Sequence, residues 1–365
     1  MSIRIGMLTS GGDCQGLNSA MRGVAKRLYE ADPKTEILGF LDGFAGLMKN
    51  SYRVMGSKDF SGILTLGGTI LGTSRQSFKT METALYPDQP NSPTKLEAMV
   101  KNYHDLDLDA LVVLGGNGSH KTANLLYENG LNVVTLPKTI DNDLWGTDIT
   151  FGFQSAVNIA TNVIDGIHST ATSHGRVFIV EVMGHKVGWM TLHAGIAGGA
   201  DVILIPEIPY DPEVVAKVLL KRDKAGKRFS IIAVAEGART IQEAKMSKSD
   251  YNEMIAESPY ISVAYRLASM LNQYTDQEVR VTVPGHFQRG GTPSPYDRVL
   301  TTSLGVVAAE KVMRKKFGIM VGMVNNKIVG IPLKEVAGKL KEVPQDHELI
   351  HDARGIGIYF GNEQI

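Results

Sequence analysis

Ala110-Leu111-Val112-Val113-Leu114-Gly115-Gly116-Asn117-Gly118-Ser119 decides how this chain folds. Five apolar residues in a row, Ala110–Leu114, predict a short strand buried on both faces. A glycine-rich turn follows, and a helix is expected from about Ser119 to Tyr127. Strand, turn and helix in that order form the building block of a parallel α/β sheet. The pattern repeats outward. Upstream, the strand Ile3–Leu8 runs into Thr9-Ser10-Gly11-Gly12-Asp13 and the helix Leu17–Glu30, then the strand Glu36–Phe40 and a turn at Asp42-Gly43. Downstream come the strand Asn132–Leu136, which Pro137 should stop, the long helix Ser155–Ser173 and the strands Arg176–Val182 and Val202–Ile205. The helix Pro212–Lys224, the strands Ser230–Ala235 and Glu278–Val283 and the helix Pro295–Arg314 continue the alternation. Ile319–Val324 and Lys327–Ile331, separated by Asn325-Asn326, read as a hairpin.

Length and composition bound the possibilities. The 365 residues, 43% of them hydrophobic, suffice for a large core and two lobes. Thirty-eight Lys and Arg balance 38 Asp and Glu, so nothing points to a nucleic-acid tail or a membrane-seeking surface. No apolar run reaches the roughly 18 residues of a membrane span. Met1-Ser2-Ile3-Arg4 leads straight into a strand, so no signal peptide is read there. Cys14 has no internal disulfide partner, which fits a reducing cytoplasm. The lobe boundary is expected near Leu136–Phe151. Residues 1–143 with about 300–325 would make one lobe, 144–299 the other, and 326–365 an extension.

Two turns, Thr9–Asp13 and Gly115–Ser119, join a strand end to a helix start. Glycines let a phosphate reach the backbone, and free N–H groups at a helix N-terminus point toward it. Neither turn is G-x-G-x-x-G, and no G-x-x-x-x-G-K-[ST] occurs. One such turn reads equally as a tight connection; two at strand ends favour an anion site. A third segment, Pro137-Lys138-Thr139-Ile140-Asp141-Asn142-Asp143, offers two carboxylates and a cation within a few positions. Phosphoryl transfer to a hydroxyl needs a proton acceptor, a carboxylate for Mg²⁺ and cations for the transferring group. Taken alone, the segment reads more readily as a solvated polar loop.

Together these segments resemble the phosphofructokinase family. Thr9–Asp13, Gly116–Ser119, Pro137–Asp143, Glu181-Val182-Met183-Gly184 and Pro284-Gly285-His286-Phe287-Gln288-Arg289-Gly290-Gly291 recur in the family's order and spacing, over about residues 3–310. The resemblance implies two Rossmann-like lobes with mainly parallel sheets and an active site in the inter-lobe cleft. Residues 1–143 and about 300–325 would bind the donor, and 144–299 the sugar phosphate. The implied reaction is transfer from MgATP to the 1-hydroxyl of fructose 6-phosphate, the committed step of glycolysis, in a cytoplasmic allosteric homotetramer. Asp141 corresponds to the base, Thr139 to a contact on the transferring phosphoryl and Asp143 to the Mg²⁺-orienting carboxylate. Gly12, Arg75, Gly116, Asn117, Gly118 and Ser119 match the donor site. Arg176, Met183, Gly184, His185, Glu236, Arg280, His286 and Arg289 match the sugar-phosphate site, with Arg176 and Arg280 reaching in from a neighbouring subunit.

The chain departs from the family pattern in several places. Asn117 stands where aspartate is usual, so any metal contact there carries no charge. His185 replaces an arginine. Members using pyrophosphate carry aspartate at the Gly118 position and lysine at that of Lys138. A carboxylate at residue 118 would repel the α-phosphate of ATP, and its absence favours ATP, with pyrophosphate as the alternative. Arg22, Lys26, Lys58 and Lys227 match cations of the family's effector site. His168, Ala225 and Asp201 depart from it.

Rival readings come from other classes. His347-Glu348-Leu349-Ile350-His351 fits H-E-x-x-H, in which two histidines on one helix face bind zinc beside a glutamate base. No Gly-x-x-His extension follows, however, and Pro344 precedes the motif closely. Kinases of NAD or lipids share turns like Gly115–Ser119 but not the Asp141 loop or the His286–Gly291 stretch. A catalytically silent member would have no use for the Asp141–Asp143 pair. Cys14 reads as a packing residue, and Trp145 and Trp189 as core or interface aromatics.

Overall fold

Arg4–Ser10 forms strand β1, buried from Ile5 onward, as an interior parallel strand must be. A computed structural model describes residues 3–260 and 262–364. After β1 come α1 (Leu17–Ala31), β2 (Glu36–Phe40), α2 (Phe44–Lys49), β3 (Tyr52–Met55) and α3 (Lys95–Asp105). Next are β4 (Ala110–Gly115), α4 (Asn117–Glu128), β5 (Val133–Thr139), β6 (Phe151–Gly152) and the long α5 (Phe153–His174). The chain continues through β7 (Val177–Val182), α6 (Trp189–Ala197), β8 (Val202–Leu204), α7 (Pro212–Lys224), β9 (Ser230–Ala235), α8 (Ile241–Lys245), α9 (Lys248–Glu257), α10 (Val263–Leu271) and β10 (Val279–Thr282). It closes with α11 (Pro295–Met313), β11 (Ile319–Val324), β12 (Lys327–Pro332), α12 (Leu333–Val336) and α13 (Glu348–Gly355).

These elements fall into two compact units, Met1–Ser155 with Arg289–Lys341, and Ala156–Gln288 with Glu342–Ile365. In the first, the strands lie in the order β12-β11-β5-β4-β1-β2-β3, with β6 paired to β5. All neighbours are parallel except β2–β3 and β11–β12. The order reverses between β1 and β4, since β2 lies on one side of β1 and β4 on the other. That is where ligands gather in doubly wound sheets. Leu8, Phe40, Leu111, Val113, Leu126 and Val133 pack into one core. Asn325 and Asn326 turn the β11–β12 hairpin at φ 50° and 60°, the pair of positive angles a tight two-residue hairpin requires.

The second unit carries four parallel strands in the order β10-β7-β9-β8. Its core holds Ile179, Leu204, Val218, Leu219, Ile232 and Leu267. The stretch 326–365, expected to be one extension, divides. Its first part completes the sheet of the first unit. Its last part joins the second, where Ile203 N–H donates to Tyr359 O at 2.9 Å.

Pro137 does not stop its strand. Strand β5 runs on through Lys138 and Thr139, which pair with Phe151 and Gly152. Pairing with β11 covers only Val134 and Thr135, so that ladder has ended before Pro137 and no bond is lost to the missing N–H. Helix α3 was not anticipated, although Thr94 and Glu97 form a capping box. The Thr94 hydroxyl accepts from Glu97 N–H at 3.1 Å, and the Glu97 carboxylate accepts from Thr94 N–H at 2.7 Å.

Candidate active site

Three adjacent strands of the first unit, β1, β4 and β5, end side by side at Ser10, Gly115 and Thr139. Gly11 and Gly16 both have positive φ, 89° and 95°, which only glycine adopts without strain. Gly16 precedes α1 and Gly116 precedes α4, and neither helix has a side-chain cap. By contrast Thr94, Asp211, Ser262 and Ser294 cap α3, α7, α10 and α11. The helix starts at the switch point thus keep N–H groups that an anion can take. Gly115 has no room for a side chain, because a Cβ there would lie 2.2 Å from Ser119 Cβ.

Cations surround the first turn. The buried Lys138 ammonium donates to Gly12 O at 2.5 Å. Burial pushes its pKa down, while Cys14, Asp141 and Asp143 act in the opposite sense. Arg289 donates to Asp13 O at 2.9 Å. A Cβ on Gly12 would meet Arg289 Nη1 at 3.0 Å and Arg75 Nη2 at 3.5 Å. Thr73 Oγ donates to Gly11 O at 2.7 Å, which holds the Arg75 segment against the turn. Arg289, assigned by resemblance to the sugar phosphate, therefore lies against the Gly12 turn of the first unit. Cys14 is fully buried and burial pushes its thiol up to about 12, which makes it a packing group.

The carboxylate loop leaves β5 at Ile140. Asp141 N–H donates to Thr139 Oγ at 3.1 Å, which brings the expected base and phosphoryl contact together. Asn142 lies between the two aspartates at φ 53°. Its Oδ1 accepts from Thr150 N–H and from Lys341 Nζ, both at 3.0 Å. Asp143 is 9% exposed. Asn117 begins α4; its Nδ2 donates to Lys339 O at 2.8 Å, while its Oδ1 is buried without a hydrogen-bond partner. Two side chains that contact these turns were not singled out in the sequence: Lys341, and His120, whose buried ring meets Gly116 O at 2.8 Å. A carbonyl can only accept, so Nδ1 carries the proton, and burial pushes the His120 pKa down to about 4.

In the second unit, β7 and β9 end together. Glu236 Oε1 accepts from Gly184 N–H at 3.2 Å and from His185 N–H at 2.7 Å. Gly184 is needed there, because a Cβ would lie 2.6 Å from Val187 O at φ 152°. Met183 N–H donates to Gln288 Oε1 at 3.3 Å, which ties the short turn Gly285–Arg289, and with it His286, to this end of the sheet. Met183, Gly184, His185, Glu236 and His286 thus form one neighbourhood.

Arg176 and Arg280 do not join it. Arg176 immediately precedes β7, Arg280 pairs in register with Phe178 near the same end, and both guanidiniums pair with Glu278. The six residues of β7 separate Arg176 from Met183, seven steps of about 3.3 Å, or roughly 23 Å. An arginine side chain does not span that distance.

The remaining sequence candidates are committed elsewhere. His347 lies just outside α13, where its Nδ1 accepts from Leu349 N–H at 3.2 Å and its ring meets Trp189 edge-on. The two histidines of the H-E-x-x-H stretch are therefore not one helix face. Among the described residues no three metal-ligating His, Cys, Asp or Glu come together. Asp201 pairs with Arg222 at 2.7 Å and accepts from Ile231 N–H, and His168 donates to Gly198 O at 2.7 Å. No helix among the described residues is long and apolar enough to cross a membrane.

Comparison with known proteins agrees with this geometry. The family profile described as Phosphofructokinase matches residues 4–312. A relative from Spirochaeta thermophila, named ATP-dependent 6-phosphofructokinase, is 53% identical over 98% of this chain and 97% of its own length. One of the same name from Propionibacterium freudenreichii is 46% identical over 99% of this chain and all of its own. Among solved structures, phosphofructokinase from Saccharomyces cerevisiae superposes with a TM-score of 0.75 at 32% identity. That match covers 92% of this chain but only 45% of the longer yeast chain.

Proposed function

We propose that this chain, which belongs to the phosphofructokinase family, transfers the terminal phosphoryl group of ATP to the 1-hydroxyl of fructose 6-phosphate. The product is fructose 1,6-bisphosphate. The observation that carries the choice of donor is Gly118. It is exposed in the first turn of α4, at the switch point of the sheet, and a Cβ there meets no atom within 4 Å. This leaves room for the α-phosphate of a nucleotide and puts no carboxylate against it. The name shared by the bacterial relatives points the same way.

In this reading Asp141 accepts the proton of the sugar 1-hydroxyl, and the freed oxygen attacks the terminal phosphorus in line. Thr139 contacts the transferring group. Lys138, Arg75 and the N–H groups at Gly12 and Gly116–Ser119 offset its charge. Mg²⁺ fits the donor set: Asp143 supplies a carboxylate, and Asn117 supplies a buried amide oxygen that has no partner. Few protein ligands are what magnesium needs, since it keeps waters and phosphate oxygens around it. When bound it would neutralise charge on the donor phosphates. Met183, Gly184, His185, Glu236, His286 and Arg289 would bind the sugar phosphate.

The distance between Arg176 and Met183 along β7 supports a homo-oligomer, a tetramer in this family, in which Arg176 and Arg280 serve a neighbouring subunit's sugar phosphate. The balanced charge and the single buried cysteine suit a cytoplasmic enzyme. The test is the initial rate with fructose 6-phosphate and Mg²⁺, with ATP in one assay and pyrophosphate in the other. Turnover with ATP alone is expected. Turnover with pyrophosphate alone would overturn the donor, and silence with both would overturn the activity.

A further inference from the structure

We propose that Lys341 is a positioning residue for phosphoryl transfer, holding the loop that carries Asp141 and Asp143 in its reactive shape. The inference rests on reading that loop as the catalytic one.

Residues 140–150 leave β5 without regular structure apart from a few hydrogen bonds, so their shape must be imposed from outside. Lys341 imposes it at four points. Its ammonium donates to Asn142 Oδ1 at 3.0 Å and to Thr147 O and Asp148 O at 2.9 Å each. An ammonium has three protons, and here three acceptors meet it. Its own N–H donates to Asp143 O at 2.9 Å. The preceding residue, Leu340, bridges Leu144 in antiparallel fashion. One residue further back, Lys339 O receives the Asn117 amide at 2.8 Å. Residues 339–341 therefore touch both the carboxylate loop and the first residue of α4.

The hold falls on Asn142, which sits between the two aspartates in a left-handed conformation. A residue at that φ sets the directions of its neighbours, and Lys341 and Thr150 N–H fix it from two sides. An apolar residue in place of Lys341 would leave the Thr147 and Asp148 carbonyls without this donor.

The experiment compares wild type, Lys341→Met and Lys341→Arg for kcat, for KM toward both substrates and for thermal midpoint. Lys341→Met is expected to lower kcat on the order of 10- to 100-fold, the effect of a misplaced reacting group, with both KM values within about twofold. Lys341→Arg keeps the charge and donors and should regain most of the loss. A kcat for Lys341→Met within about twofold of wild type overturns the proposal. So does a kcat loss that tracks a falling thermal midpoint and is not recovered in Lys341→Arg. If Lys341→Met does not fold, Lys341→Gln carries the same expectation and the same refutation. A wild type silent with ATP would instead overturn the assigned activity. Hydrogen exchange of the 140–150 amides, expected to quicken at least about tenfold in Lys341→Met, then decides the positioning role.

Discussion

Replacing Gly118 by aspartate should push stability and catalysis in opposite directions. Gly118 is helical and exposed, and a Cβ there meets no protein atom within 4 Å, so the backbone accepts a side chain pointing to solvent. Glycine inside a helix costs roughly 0.5–1 kcal/mol relative to alanine. A carboxylate in the first turn gains about 0.3–1 kcal/mol from the helix dipole. Gly118→Asp is therefore expected to be as stable as wild type or more so by up to about 1 kcal/mol. Against the donor the sign reverses. A carboxylate about 5 Å from a phosphate charge costs roughly 3 kcal/mol at an effective dielectric of 20 and under about 1 kcal/mol in bulk water. For an exposed residue the lower half applies, about 1–2 kcal/mol, or roughly 5- to 30-fold in kcat/KM for ATP. Gly118→Ala adds the Cβ without the charge and should keep kcat/KM within about twofold. The assay is steady-state rate against ATP concentration beside thermal unfolding of the same samples. Unchanged ATP use in Gly118→Asp refutes the reasoning. Equal losses in Gly118→Asp and Gly118→Ala refute the charge argument and leave one of volume.

Two further outcomes follow from the same geometry. Asp141→Ala should lower kcat by about 10²- to 10⁴-fold while KM for fructose 6-phosphate stays within a few-fold, and near-normal turnover would remove Asp141 from the role of base. His120 is held neutral, its folded pKa lying below the unfolded value of about 6.5. Its share of stability is present above pH 6.5 and is lost as pH falls toward about 4, up to about 3 kcal/mol. His120→Gln should therefore lose less stability than wild type between pH 7 and pH 4.5 in denaturant titrations. Parallel losses in the two proteins would show that His120 is not the titrating group.

The strands were legible because their burial is written in composition. Ala110–Leu114 and Ile231–Ala235 are apolar throughout, and β9 has the predicted bounds. The glycine turns were legible because a glycine cluster between a strand and a helix stands out in sequence, and at Gly115 no side chain fits, since Ser119 presses on it. The extent of β5 was not, because proline's tolerance depends on where a neighbouring ladder ends, and only the register of β11 tells that. Lys341 was invisible for a similar reason. It lies 199 residues from Asn142, and nothing local marks a lysine that will meet three oxygens. His347 misled because a spacing of four suits a helix face only if both residues are inside the helix, and His347 is its cap. Arg176 and Arg280 match the family pattern by residue type, but only the position of β7 shows how far they lie from Met183.

That distance has a genetic consequence. If each sugar-phosphate site borrows its arginines from another copy of the chain, two dead alleles need not make a dead mixture. A chain with Asp141→Ala still lends Arg176, and a chain with Arg176→Ala still holds Asp141. Coexpressed in equal amounts and assembled at random, they would complete one site in about four, the product of two even chances. Each allele expressed alone would complete none.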